Sequence, residues 1–264
     1  MDFNLLHVFL LFSTGIAAGF LNTVAAGGSL LALPMLIFLT SDPTLANGTN
    51  RVAIFFQNIS AIIGFRRKGV SNFRYGILLA VPAVIGAGIG AKIAIGTDAA
   101  LFQFILAAVM LIMLGLTLVN PTARLADRIE NKSTSSTVLA MVVFFFIGIY
   151  GGFIQAGVGL LVITALRLLT GIDLVRTNAI KVLIIFFYTV LALGIFIMEK
   201  QVNWTLGVTL AIGNATGAWI GSHWAVEKGD KWIKVVLIVA VLVFATNLML
   251  KPFKLDVQSL LGLG

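Results

Sequence analysis

The sequence predicts an all-α polytopic membrane protein built from two inverted-topology repeats. Each repeat has about five helical segments and opens on a broken or hairpin helix. Three observations predict this. First, only 11% of the 264 residues are charged and the mean hydropathy is +1.07. A soluble domain carries about 25% charged residues, so the surrounding solvent is lipid. Second, the chain divides into ten apolar runs without the alternation of a barrel strand. They are read as helices, the other structure that satisfies its own backbone in lipid. Third, the chain says nearly the same thing twice. Ala26-Gly27-Gly28-Ser29-Leu30-Leu31 and Thr49-Asn50 are answered by Ala156-Gly157-Val158-Gly159-Leu160-Leu161 and Thr177-Asn178. Doubled, interrupted apolar segments point to a transporter and to its binding site.

The first membrane repeat is read at 1–119, with segments near 5–21, 28–40, 47–65, 74–95 and 99–119. A cytoplasmic polar linker at 120–136 carries Arg124, Asp127, Arg128, Glu130 and Lys132. The second repeat, 137–250, gives segments near 137–154, 157–170, 174–198, 204–225 and 231–250, and a tail at 251–264 closes the chain. The second segment of each half is too short to span: about 12 residues cover roughly 18 Å of a ~30 Å hydrocarbon core. It follows its predecessor across a Gly-rich break, so each pair is read as a hairpin with its tip at membrane depth. Non-helical backbone is tolerated there only against protein or a water-filled cavity. Gly86-Ala87-Gly88-Ile89-Gly90 answers Gly217-Ala218-Trp219-Ile220-Gly221, a spacing suited to close helix packing.

Lys and Arg orient the chain, because cytoplasmic loops carry them. Arg66, Arg67, Lys68 and Arg74 mark one cytoplasmic turn, Arg176 another, and Lys228 and Lys231 a third, while the turns near 41–46 and 96–98 lack both types. Corresponding turns of the two halves thus fall on opposite sides, with both termini outside. Lys251 and Lys254 run against this assignment. The N-terminal run lacks a basic n-region and a cleavage site, so it is read as retained.

The formal charge of +8, from 18 Lys+Arg and 10 Asp+Glu, is read as loop charge of this kind and not as a nucleic-acid footprint. The chain has no Cys and two His, His7 and His223, which argues against disulfides, thiolate sites and multi-histidine metal centres. No Gly-x-Ser-x-Gly or His-Glu-x-x-His motif occurs. No catalytic residue, metal or cofactor is expected. Every acid lies in or beside a loop, which argues against an intramembrane carboxylate relay.

Two cations approach the apolar interior, Arg51 and Lys181. They are placed either to attract a small anion or to neutralise a helix end or snorkel. The breaks at Gly27, Gly28 and Ser29, and at Gly157 and Gly159, place helix N-termini where free N–H groups favour anions. Asn22, Thr23, Gln155, Thr49, Asn50, Thr177 and Asn178 lie near them. They would hydrogen-bond an oxyanion, or else satisfy freed carbonyls and cap helices. Gln57, Asn58 and Ser60 are assigned a structural, bundle-facing role, and Lys92 and His223 an interfacial one.

These residues carry a resemblance. Gly19-Phe20-Leu21-Asn22 through Gly27-Gly28-Ser29-Leu30-Leu31, Pro34, and Ala46-Asn47-Gly48-Thr49-Asn50 resemble the sulfite exporter TauE/SafE family. So does the echo at Gly157 to Leu161 with Arg176-Thr177-Asn178-Ala179-Ile180-Lys181. The likeness spans about 15–250, and the first glycine loop is plainer than the family's usual one. It implies a bacterial inner-membrane permease exporting sulfite or small organosulfonates such as sulfoacetate. The expectation is a secondary transporter, with a midplane site worked by alternating access. A passive anion channel and a membrane-embedded enzyme or assembly factor are the alternatives. The expected partners are the small anion and the bilayer.

Overall fold

The computed structural model describes residues 5–24, 27–70, 73–119, 137–172 and 174–224. The linker at 120–136, the tenth segment at 231–250, the tail, and the Lys228–Lys231 turn lie outside them. The described residues form nine α-helices and no strand. In chain order they are α1 (Leu5–Val24), α2 (Ser29–Thr40), α3 (Pro43–Arg67), α4 (Phe73–Gly96) and α5 (Ala99–Val119). The second half gives α6 (Thr137–Phe153), α7 (Val158–Thr170), α8 (Leu174–Met198) and α9 (Trp204–Trp224).

The boundaries follow local chemistry. α2 closes where Ser41 turns left-handed and its N–H reaches Ile37 O at 2.8 Å. α3 then starts earlier than the hydropathy suggests. Asp42 Oδ1 accepts from Thr44 N at 2.9 Å and Leu45 N at 3.0 Å, and Pro43 occupies the first helical position, where its missing N–H costs nothing. The turn expected at 41–46 therefore shrinks to 41–42. Thr49-Asn50-Arg51 lies well inside α3 rather than at its start.

α1, α4 and α8 are long and apolar enough to cross a membrane. α2 and α7, at 12 and 13 residues, are not. The polarity of the bundle is inside out. Ile77, Val81, Ile85, Ile89 and Ile93 form an exposed stripe along α4, while Asn47, Asn50, Arg51, Gln57 and Asn58 of α3 are buried. Exposed aliphatic stripes around a polar interior suit lipid as the outer solvent.

Helices of one half pack on helices of the other. α1 lies along α9 with the two running parallel: Gly15 faces Leu210 and Gly213, and Gly217 faces Ile16 and Phe20. α6 lies along α4 in the same way, with Gly86 against Phe145 and Gly90 against Ile149 and Phe153. Their backbones touch, so a Cβ at Gly19 would strike Asn214 O and one at Gly90 would strike Ile149 O. α3 and α8 meet antiparallel in the middle: Arg51 is near Phe196, Phe55 stacks on Phe186 at 5.5 Å, and Phe65 packs with Ala179 and Val182. α9 runs parallel to α3, since Asn203 N donates to Thr49 Oγ1 and Ser60 Oγ to Ala215 O. α4 runs parallel to α8, with Gly76 near Ile180 and Gly88 near Leu191.

These contacts sort the charges. The C-terminal ends of α3 and α9 meet, where Lys68 Nζ donates to His223 O at 2.7 Å and Arg67 lies over Trp219. The N-terminal ends of α4 and α8 join them, so Arg66, Arg67, Lys68, Arg74 and Arg176 gather at one end. The opposite end carries Asp42, Asp98, Glu199 and Lys200. The apolar core forms two large clusters, one around Leu33, Leu36, Phe102 and Phe196 and one around Leu79, Phe144, Ile184 and Tyr188. Ile154 and Ala156 of the second break belong to the first cluster.

Candidate functional site

α1 stops at Val24 and α6 at Phe153, each followed after a few residues by a short helix. A broken helix leaves orphan carbonyls at one end and orphan N–H groups at the next start, and in a lipid-embedded bundle both need protein partners. The charged partners for the carbonyls come from the opposite half. Lys181, on α8, donates through Nζ to Asn22 O at 2.8 Å and Thr23 O at 3.5 Å, and to Asn178 Oδ1 at 2.8 Å. Its three hydrogens are all engaged. Arg51, on α3, donates to Gly151 O at 3.2 Å and to Gly152 O, and lies 4.7 Å from the Phe196 ring centroid. Asn47 Nδ2 takes Phe153 O at 2.8 Å, and Tyr150 OH takes Ala156 O at 2.6 Å. Both cations thus sit at the negative end of a helix dipole. Each spans the halves, and the exchange is reciprocal.

The two helix starts differ. Asn22 Oδ1 accepts from Gly28 N at 2.8 Å and Ser29 N at 3.3 Å, so the chain's own amide occupies the N–H groups expected to face an anion. A Cβ on Gly28 would strike Ala18 O, which requires glycine there. The start of α7 has no side-chain cap. Gly157 is left-handed, φ +71°, a region costly for residues with a Cβ.

The starts converge on a small, partly enclosed cavity. Its polar walls are Asn22, Ser29, Gln57, Asn58, Gln155 and Lys181; Gly159 and the apolar Ile54, Val158, Val182 and Ile185 complete it. The space for the centre of a water-sized sphere is about 10 Å³, room for about one water. Asn22 Nδ2 donates to Gln57 Oε1 at 2.9 Å, and Asn214 Nδ2 reaches the same oxygen at 3.4 Å. Gln155 Nε2 donates to Tyr188 OH at 2.9 Å.

Of the residues singled out in the sequence, Asn22, Ser29, Gln155, Gly159 and Lys181 line the cavity. Gly27, Gly28, Thr23, Asn178 and Gly157 flank it through the backbone or through Lys181. Thr49, Asn50, Arg51 and Thr177 stand apart. Thr49 Oγ1 holds Asn203 N at 2.9 Å, and Thr177 Oγ1 reaches Ile172 O at 3.4 Å. Asn50 is buried with both amide atoms unpaired. The sequence reading gave Gln57 and Asn58 a structural role, yet both line the cavity. The signal was the spacing of Asn47, Asn50, Arg51, Gln57 and Asn58 along one apolar-flanked helix. The lining carries one cation and no acid, and among the described residues no cluster of His, Asp and Glu could hold a metal.

The sulfite exporter TauE/SafE family model matches residues 11–248. The chain belongs to this family. A probable membrane transporter protein of Haemophilus influenzae is 26% identical to it, over 90% of this chain and 93% of its own length. The probable membrane transporter protein ORF9 of Sinorhizobium sp is 27% identical over 92% of both. The probable membrane transporter protein YfcA of Escherichia coli K12 is 26% identical over 96% of this chain and 94% of its own. No solved structure matches the chain. Membership in the TauE/SafE family places the protein among multi-pass membrane transporters, with a small molecule as substrate and lipid as surroundings.

Proposed function

We propose that the protein is a secondary transporter of a small sulfur-containing anion, sulfite or an organosulfonate such as sulfoacetate, in the bacterial inner membrane. The observation that carries the reading is the cavity itself. A buried lysine and several amide side chains converge at two broken helices, with no carboxylate among them. A cation with oriented N–H groups in a water-poor site attracts an anion, and intramembrane charge marks a substrate path. The family's name supplies the sulfur oxyanion.

The packing supports alternating access. The antiparallel meeting of α3 and α8, with the first helix of each half lying along the fourth of the other, supports two repeats of inverted topology. The domain boundaries 1–119, 120–136, 137–250 and 251–264 follow from the same reading. Room for about one water at the site favours a closed carrier state over an open channel. An oxyanion enters only when the halves move apart, and rocking one repeat against the other exposes a midplane site to each side in turn. The basic end, with Arg66, Arg67, Lys68, Arg74 and Arg176, faces the cytoplasm.

Flux into proteoliposomes tests the reading, with sulfite and sulfoacetate as substrates, sulfate, acetate and potassium as controls, and several pH differences. Saturable sulfite or sulfonate flux that potassium does not share is the expected result. Folded, inserted protein that moves no anion under any gradient contradicts it.

A further inference from the structure

The polar side chains of the lining residues are not all of one kind. Lys181 brings positive charge. Gln57 has its Oε1 held by Asn22 and Asn214, which leaves its amide N–H as the end open to a ligand. Both suit the oxygens of an anion. Asn58 does not. It is 1% exposed, and its Nδ2 donates to Ile54 O at 2.8 Å. A carbonyl only accepts, so this bond fixes the amide: one N–H of Nδ2 is held within α3, and Oδ1 is the atom without a partner. That oxygen is buried and has no protein partner, and Asn58 lines the cavity. On another wall Gln155, 2% exposed, gives its Nε2 to Tyr188 OH and leaves Oε1 without a partner.

Two bare amide oxygens repel the lone pairs of a hydrogen-free oxyanion. They are satisfied by a ligand that brings a hydrogen. A lining with one cation and no acid balances a single negative charge. Resting on the anion-transport reading above, we propose that Asn58 Oδ1 accepts a hydrogen bond from the substrate. Asn58 thereby makes the site favour, among the sulfur anions proposed above, singly charged ones that carry an O–H donor, the class of hydrogen sulfite and the hydroxyalkanesulfonates, over donor-free dianions such as sulfoacetate. Buried acceptors discriminate because an analogue lacking the donor leaves them unpaired after binding.

The test compares 2-hydroxyethanesulfonate with ethanesulfonate, which differ by one hydroxyl, as competitors of labelled sulfite uptake in proteoliposomes. The wild-type protein should prefer the hydroxyl compound about tenfold or more. Asn58→Leu should take up sulfite with the two competitors nearly equal. Asn58→Ser, whose hydroxyl donates to Ile54 O and keeps a lone pair free, should retain part of the preference and guards against a folding defect in the leucine variant. Equal competition in the wild type, no competition by the hydroxyl compound, or a preference that survives Asn58→Leu overturns the proposal while leaving anion transport intact. An Asn58 that merely held a water would give one of these results. Absence of any anion uptake fails the underlying reading instead.

Discussion

Arg51 and Lys181 are chemically alike at first sight, since both are buried cations that cap the carbonyl end of a broken helix. Their surroundings separate their roles. Arg51 is enclosed by the α6 carbonyls and the Phe196 ring and does not line the cavity. Arg51→Met should therefore lower stability by about 3 kcal/mol, the scale of orphaning two carbonyls that accepted from a charged donor. Thermal unfolding in detergent checks this, and the protein that remains folded should bind sulfite as before. Lys181→Met should instead weaken sulfite binding by about tenfold or more, since it removes the positive charge from the cavity wall, a short-range attraction of about a few kcal/mol. Calorimetric titration on the folded variant reads this effect. Neither cation's target was legible in the sequence. Helix-end neutralisation stood there as one of two readings, but Gly151 lies in the other half of the chain from Arg51, and only the packed structure brings them together. The bare oxygen of Asn58 was not legible for a related reason. Mid-helix polar residues look like bundle contacts until the missing partner of Oδ1 is known.

At the scale of elements, glycine decides where helices touch. Gly19→Ala puts a Cβ against Asn214 O at the α1–α9 contact and should cost about 1–3 kcal/mol through forced backbone movement. Gly194, inside α8, has nothing within 4 Å of its added Cβ. Gly194→Ala should be neutral or stabilising by about 0.5–1 kcal/mol, because alanine loses less backbone freedom in a helix. Paired melts of the two variants test whether close approach, rather than glycine content, holds the bundle. The helices were largely readable from hydropathy: α5 and α8 fall at 99–119 and 174–198 as expected, and the short α2 and α7 follow their glycine breaks. The start of α3 was not. Hydropathy begins the segment at 47, whereas the Asp42 cap and Pro43 start the helix before its apolar run.

For the whole molecule, the account requires corresponding turns of the two halves to lie on opposite membrane faces. The chain has no cysteine, so single thiols report cleanly. In intact cells a membrane-impermeant thiol reagent should label Ser41→Cys, between α2 and α3, and spare Ile172→Cys, between α7 and α8. Labelling of both from outside would contradict the inverted arrangement. The expectation of a two-fold organisation was legible from the doubled motifs. The interlocking was not, because a motif carries no information about which half its helix will lie against.

On the proposed function, the cavity between the breaks binds and carries a sulfur oxyanion beside the Lys181 charge. The most direct measurement is the concentration dependence of sulfite uptake by proteoliposomes holding wild-type or Lys181→Met protein. Uptake by the wild type should saturate, with a half-saturation concentration at least about tenfold higher in the variant. Identical saturation curves for two folded, inserted proteins would contradict it.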